Sequence, residues 1–137
     1  MANFKLIDST TRVLQKSLDL REQRQQVIAG NVANAETPGY AKRTFEFEKR
    51  LQAVIKRPHV AVPLAHPKHF AVGASSLNQL QGEVKRHPET SGFGDGNTVV
   101  MEDEMLQLSE NEILYEAGIK LTKRKLQMLK YAANDGR

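Results

Sequence analysis

Apolar residues recur at helical spacing in two long stretches, one at each end of the chain, and lose that spacing between them. In the first, from about Leu6 to Val32, no proline occurs. Leu6, Ile7, Val13, Leu14, Leu18, Leu20, Val27, Ile28 and Val32 fall within an arc of about 180° on a 100° helical wheel. Arg12, Lys16, Glu22 and Arg24 fall largely outside it. An arc that wide exceeds what a two-helix seam needs, so this helix is expected to touch more than one neighbour.

The second stretch runs from Met101 to Ala133. Met105, Leu108, Glu112, Tyr115, Ile119, Thr122, Leu126, Leu129 and Ala133 follow one another in steps of three and four, a heptad stripe over about four heptads. Leu114, Ala117, Leu121 and Met128 form a second stripe on nearly the opposite face. A helix apolar on two faces is expected to lie between partners. Gly118 interrupts at a cost of about 1 kcal/mol against Ala in a helix interior, and close approach of a neighbouring backbone is its expected benefit. Glu102, Asp103, Glu104, Glu110, Glu112 and Glu116 precede Lys120, Lys123, Arg124, Lys125 and Lys130, which suits the macrodipole and permits a Glu116–Lys120 pair. Asn97 or Thr98 is the expected cap at the helix start. A full capping box is absent, because Met101 stands three residues after Thr98.

All five prolines and six of the nine glycines lie between residues 38 and 96, where regular helix is least expected. Phe45-Glu46-Phe47-Glu48 alternates like a strand, and Leu51, Val54 and Ile55 follow at helical spacing. His59 to Leu64 alternates weakly, and Ser91 to Gly96 reads as a flexible loop. The pattern predicts a mainly α chain whose N- and C-terminal helices form a coiled-coil-like hairpin, with a small irregular or β middle segment. It divides at 1–37, 38–97 and 98–137.

The first helical stretch ends abruptly in Asn31-Val32-Ala33-Asn34-Ala35-Glu36-Thr37-Pro38-Gly39-Tyr40. Asn34 has a short polar side chain suited to a left-handed cap. Thr37 precedes proline and is pushed toward extended geometry. Pro38-Gly39 suits a tight turn, and Tyr40 offers a rigid anchor for the chain leaving it. This is a device for ending a helix and setting the direction of the next segment, with no catalytic content.

Asn31-x-x-Asn34-x-x-Thr37-x-Gly39-Tyr40 at the end of an N-terminal helix resembles the signature of the bacterial flagellar axial proteins, the rod and hook group. Asp95-Gly96-Asn97-Thr98-Val99, leading into a long C-terminal helix, narrows the resemblance to rod proteins and, at this short length, to those of the proximal rod. His66-Pro67-Lys68-His69-Phe70 resembles the His-Pro segment that opens the middle of such proteins. The resemblance runs from Leu6 to about Ala133. It implies a periplasmic basal-body location, torque transmission, and passage through the flagellar type III export pathway without a cleaved signal peptide. The partners it implies are copies of the chain, other rod proteins, the small adaptor at the rod base, the membrane-supramembrane ring and the export gate.

Composition leaves room for this reading and narrows its rivals. Hydrophobic residues make up 39% and aromatics 6%, with no Trp, and mean hydropathy is −0.52, so apolar surface is expected in stripes rather than in one dense core. The absence of cysteine removes disulfide frameworks and thiol catalysis. Met1 to Leu20 holds no apolar run resembling a signal peptide, and no later run approaches membrane-spanning length. The net charge of +4 raises nucleic acid as a partner, but residues 36–98 hold nine Lys/Arg against six Asp/Glu in dispersed pairs, which argues against a phosphate-binding stripe.

His66 and His69, with His59 and His87, lack Cys or a convincing carboxylate ligand, so surface histidines are favoured over a metal site. Gly92, Gly94 and Gly96 lack the Lys-Ser/Thr of a phosphate loop. Ser9 and Ser109 lack a nucleophile elbow. No enzyme, cofactor or metal is expected. The expected functional residues are the turn motif and the helix faces carrying Leu14, Leu18, Ile28, Met105, Leu108, Leu114, Tyr115, Gly118, Ile119, Leu121, Leu126, Met128 and Leu129. Two readings remain: a self-assembling structural subunit, and a soluble helical adaptor or export chaperone whose helices enter a partner's groove.

Overall fold

The computed structural model describes residues 9–56, 77–92 and 94–134. The weakly alternating His59–Leu64 and the His66–Phe70 segment lie outside them, as do Leu6 and Ile7. Helix α1 spans Ser9–Ala33, strand β1 Lys42–Glu46, helix α2 Glu48–Lys56, strand β2 Glu83–His87 and helix α3 Met101–Ala133, with a single 3-10 turn at Leu77–Gln79 before β2. The mainly α hairpin with a small β element, expected from the sequence, is the observed architecture. Asn31 meets Glu104, Arg21 meets Asn111, and Leu18 lies against Gly118, so α1 and α3 run antiparallel.

Helix α3 is the most strongly determined element. Its 33 residues give a rod of about 50 Å at 1.5 Å per residue. The acidic residues of its first turn and the Glu116–Lys120 pair, at 3.2 Å, complement the macrodipole as the charge order predicts. The expected side-chain cap is absent. Val100 occupies the cap position in extended geometry with no side-chain hydrogen bond, because Asn97 and Thr98 are engaged elsewhere.

The core lies beside the hairpin. Phe45 and Phe47 alternate with Thr44 and Glu46, which places both rings toward α1. There they bury Leu20 and Leu80, while Val27 of α1 and Leu51 and Val54 of α2 close the cluster. The rings sit 5.8 Å apart in a tilted pair, and the Arg21 guanidinium lies 5.5 Å from the Phe47 centroid. Burial lowers the Arg21 pKa, against the pull of Glu48. Gly82 is required by close approach: a Cβ there would stand 1.9 Å from Cζ of Phe45. Arg24 and Glu48 pair from α1 to α2. Helix α1 therefore has two neighbours, α3 on one side and the β1–α2 unit on the other, which accounts for its broad apolar arc.

Strands β1 and β2 pair antiparallel in the register Lys42↔His87, Arg43↔Arg86 and Phe45↔Val84. Every residue of β2 is exposed. Lys85 Nζ lies 2.7 Å from Glu46 and holds that carboxyl below its ordinary range, while the carboxylate raises the lysine.

Gly118 faces a side chain rather than the backbone expected from the sequence. A Cβ built there would stand 2.9 Å from Cδ2 of Leu18. Gly118→Val is therefore expected to overpack the seam and destabilise the hairpin by about 1–3 kcal/mol. Urea denaturation of the purified chain checks this, and wild-type stability would exclude the packing described.

Candidate assembly interface

The end of α1 is satisfied by a network drawn from three separate parts of the chain. Asn34 Nδ2 donates to Gly30 O at 2.8 Å, and its Oδ1 accepts the Thr37 hydroxyl at 3.3 Å. The chain then turns back through Thr37 N–H to Asn34 O (3.0 Å) and Tyr40 N–H to Thr37 O (3.2 Å). Gly39 sits at φ +72°, a conformation that side-chain-bearing residues rarely adopt, and its N–H donates to Asp95 O at 2.8 Å.

Asn97 supplies what the turn lacks. Its Nδ2 donates to Asn34 O, Ala35 O and Thr37 O at 2.9, 2.8 and 2.9 Å, satisfying carbonyls beyond the last turn of α1. Its Oδ1 accepts Val99 N–H at 2.8 Å. Thr98 forms the next tie. Its hydroxyl accepts Lys42 N–H at 2.8 Å and donates to His87 O at 2.7 Å, standing in for the first rung between β1 and β2. Asn-x-x-Asn-x-x-Thr-Pro-Gly-Tyr and Asp-Gly-Asn-Thr, two separate motifs in the sequence, form one junction.

Asn31 is the buried centre of that junction. Its Nδ2 donates to Arg43 O (2.7 Å) and Glu104 Oε2 (2.8 Å), and its Oδ1 accepts Arg43 N–H (3.0 Å) and the Tyr40 hydroxyl (3.5 Å). The carboxamide thus pairs with both peptide groups of Arg43, as a further strand would. The other Glu104 oxygen lies 2.7 Å from Lys42 Nζ, as an ion pair rather than an aligned hydrogen bond. Asn31 and Glu104 are both 0% exposed. The hydrogen bonds and the Lys42 ion pair together make such a polar centre tolerable, and they fix how α3 is rotated against α1.

That rotation departs from the apolar heptad. The side of α3 turned toward α1 carries Glu104, Leu108, Asn111, Tyr115, Gly118, Thr122 and Leu129. Asn111 Nδ2 donates to Arg21 O at 3.0 Å. The expected stripe shares Leu108, Tyr115, Thr122 and Leu129 with this seam, but its other members, Met105, Glu112, Ile119, Leu126 and Ala133, are exposed. The seam is one residue out of step on that line, because hydrogen bonds through Glu104 and Asn111 outweigh the apolar side chains at the next positions. Met105, Ile119 and Leu126 therefore form a flank on one side of the seam, and Leu114, Leu121 and Met128 form a flank on the other. In α1, Ile28 is buried, and Leu14 and Leu18 are partly covered.

Sequence periodicity missed Glu104, Asn111 and Lys42 because they are polar, and it assigned Asn97 a different task. One signal was available: Glu104, Asn111 and Gly118 recur at seven-residue intervals, each small or able to hydrogen bond. Among the described residues no group of His, Cys, Asp or Glu is placed to hold a metal ion, and no helix is long and apolar enough to cross a membrane.

Gly39→Val, which forces a β-branched side chain into positive φ, is expected to impair assembly more than any single substitution of a middle-region surface lysine. Such lysine changes stay within about 0.5 kcal/mol. Complementation of a strain lacking the chain checks this, and wild-type behaviour of Gly39→Val would exclude it.

Comparison with known proteins bears on the same segments. The family model described as flagella basal body rod protein matches residues 12–40, which cover most of α1 and the turn. The chain is 35% identical over 119 residues to the flagellar basal body rod protein FlgB of Escherichia coli, covering 82% of this chain and 84% of that one. It is 36% identical to FlgB of Salmonella typhimurium over the same shares, and 32% identical to FlgB of Cereibacter sphaeroides over 83% and 85%. With more than a third of positions identical across more than four fifths of both chains, this protein belongs to the FlgB family of flagellar basal body rod proteins.

Proposed function

We propose that the chain is a structural subunit of the proximal rod of the flagellar basal body, and that it assembles helically through its terminal helices. The observation that carries this is the placement of apolar side chains on α3: Glu104, Asn111, Gly118 and Thr122 share the seam with α1 alongside Leu108, Tyr115 and Leu129, while Ile119 and Leu126 on one side and Leu114, Leu121 and Met128 on the other face solvent. A hairpin made only for itself gains nothing from two exposed apolar flanks. Each such side chain contributes up to about 1.5–3 kcal/mol when fully covered, so neighbours on both sides are strongly favoured. An adaptor helix entering a groove presents one apolar face, which fits this arrangement less well.

Two unlike contact surfaces on one subunit make a heterologous contact rather than a two-fold pair, and such contacts build an open helical assembly when the rotation between subunits does not close a ring. Close-packed helices over such faces deform little, which suits transmission of torque. The partners on this reading are copies of the chain and other rod proteins, with the rod-base adaptor, the membrane-supramembrane ring and the export gate at the base. On this reading the chain reaches a periplasmic place through the flagellar type III export pathway. Its task is structural, as in the family to which it belongs.

Deleting the coding sequence in the host and imaging isolated basal bodies tests this. The expected result is a basal body that lacks its rod, restored by the wild-type chain. A normal rod in the deletion strain would refute the proposal.

A further inference from the structure

The two-stranded sheet divides its charges unequally between its sides. Antiparallel pairing puts residues 42, 44, 46, 83, 85 and 87 on one side and 43, 45, 84 and 86 on the other. On the first side every Lys and Glu has a partner of opposite charge: Lys42 with Glu104, Glu46 with Lys85 and Glu83 with Arg50. On the second side Phe45 is buried, while Arg43 and Arg86 are exposed and stand directly opposite each other. The N–H and C=O of Arg43 both bond Asn31, so they point away from β2. Arg43 and Arg86 are therefore a pair without ladder hydrogen bonds, the closer kind, with Cα atoms about 4.5 Å apart.

Like charges directly opposite across a ladder destabilise it. Among the described residues neither guanidinium is paired with a carboxylate, and residues 57–76 contain no Asp or Glu. The Tyr40 ring lies 5.8 Å from the Arg43 guanidinium and holds it in place. We propose that Arg43 and Arg86 receive an acidic segment of a neighbouring protein chain, one carboxylate of which sits between the two guanidiniums. The planar fork of arginine matches a carboxylate through paired hydrogen bonds, so one such group replaces the repulsion by two attractions. Val84 is 52% exposed on the same side of the sheet and gives the rest of the segment an apolar contact, which a free anion would leave unused. The surface lies on the sheet, so it does not depend on what covers the flanks of α3.

Two variants separate this from a structural role. Arg86→Glu sets a carboxylate against Arg43 within the chain and is expected to raise the urea midpoint of the purified protein by a few tenths molar. The same change repels an acidic partner, so swimming of the complemented deletion strain is expected to fall severalfold. A lowered midpoint would overturn the proposal by showing that the arginine pair supports the fold. Unchanged swimming would overturn it by showing that no acidic partner is engaged.

Arg86→Lys keeps the charge and supplies an amine. In basal bodies carrying it, a water-soluble carbodiimide joins that amine to a touching carboxylate as an amide, and the carbodiimide takes up the water lost and becomes a urea. Lys85 and Glu46, 2.7 Å apart, give the internal link that reports the reaction. The expected product is larger than one chain on a denaturing gel and joins position 86 to an Asp or Glu. The Lys85–Glu46 link with none at position 86 would overturn the proposal in favour of an anion that is not protein. A link at position 86 confined to the single-chain band would overturn it in favour of an internal pair. Rod loss in the deletion strain is read separately, so the rod reading survives if this contact fails.

Discussion

Replacing Asn31 with Leu is expected to remove about 3–5 kcal/mol of stability although the substitute is close in volume. The carboxamide satisfies the N–H and C=O of Arg43 and one oxygen of Glu104, all through a residue with no exposed surface. Leu offers none of these bonds. Each buried polar group left without a partner costs about 1–3 kcal/mol, and an incompletely paired buried charge stands at the upper end. The loss should extend to assembly, because Asn31 holds the end of α1, strand β1 and the first turn of α3 together. Urea denaturation of Asn31→Leu against wild type measures the first effect and rod formation in a complemented strain the second. A midpoint within error of wild type would show that the junction is not held by this side chain.

Much of the fold was legible because several signals agree at the same residues. Helix α3 combines a long periodic pattern, an acidic start and a basic end, and its limits at Met101 and Ala133 coincide with the expected ones. Strand β1 and helix α2 were readable from Phe45 and Phe47 two apart, followed by Leu51, Val54 and Ile55. Strand β2 was not, because Glu83-Val84-Lys85-Arg86-His87 holds one apolar residue and no buried one. It is a strand only because β1 offers it a partner.

The hairpin seam was half legible for a related reason. Hydrophobic periodicity finds the side chains that avoid water, and in α3 many of those are not the ones that meet α1. Glu104 and Asn111 pin the seam through specific bonds, a kind of information that period alone does not carry. Asn97 was misread for want of a long-range view. Its spacing before α3 suits a cap, whereas its amide bonds carbonyls some sixty residues earlier in the chain.

The second large effect is on function rather than folding. Leu121 is 56% exposed, so Leu121→Asp is expected to change the stability of the isolated chain by no more than about 0.5 kcal/mol. On the proposed assembly the same carboxylate would be covered by a neighbour without a partner, at a cost of several kcal/mol. Expression and export should remain near wild type while incorporation into the rod is lost. Complementation of the deletion strain, with export and motility scored separately, distinguishes the two. Normal swimming would remove the argument from the apolar flanks.

The most direct test is thiol labelling in the native assembly. Leu114→Cys, Leu121→Cys and Met128→Cys, each introduced singly into the cysteine-free chain, place a probe along one flank of α3. A membrane-impermeant maleimide should modify all three readily in the purified chain and leave them largely unmodified in isolated basal bodies. Equal labelling in the two states would contradict the claim that neighbouring subunits bury this face.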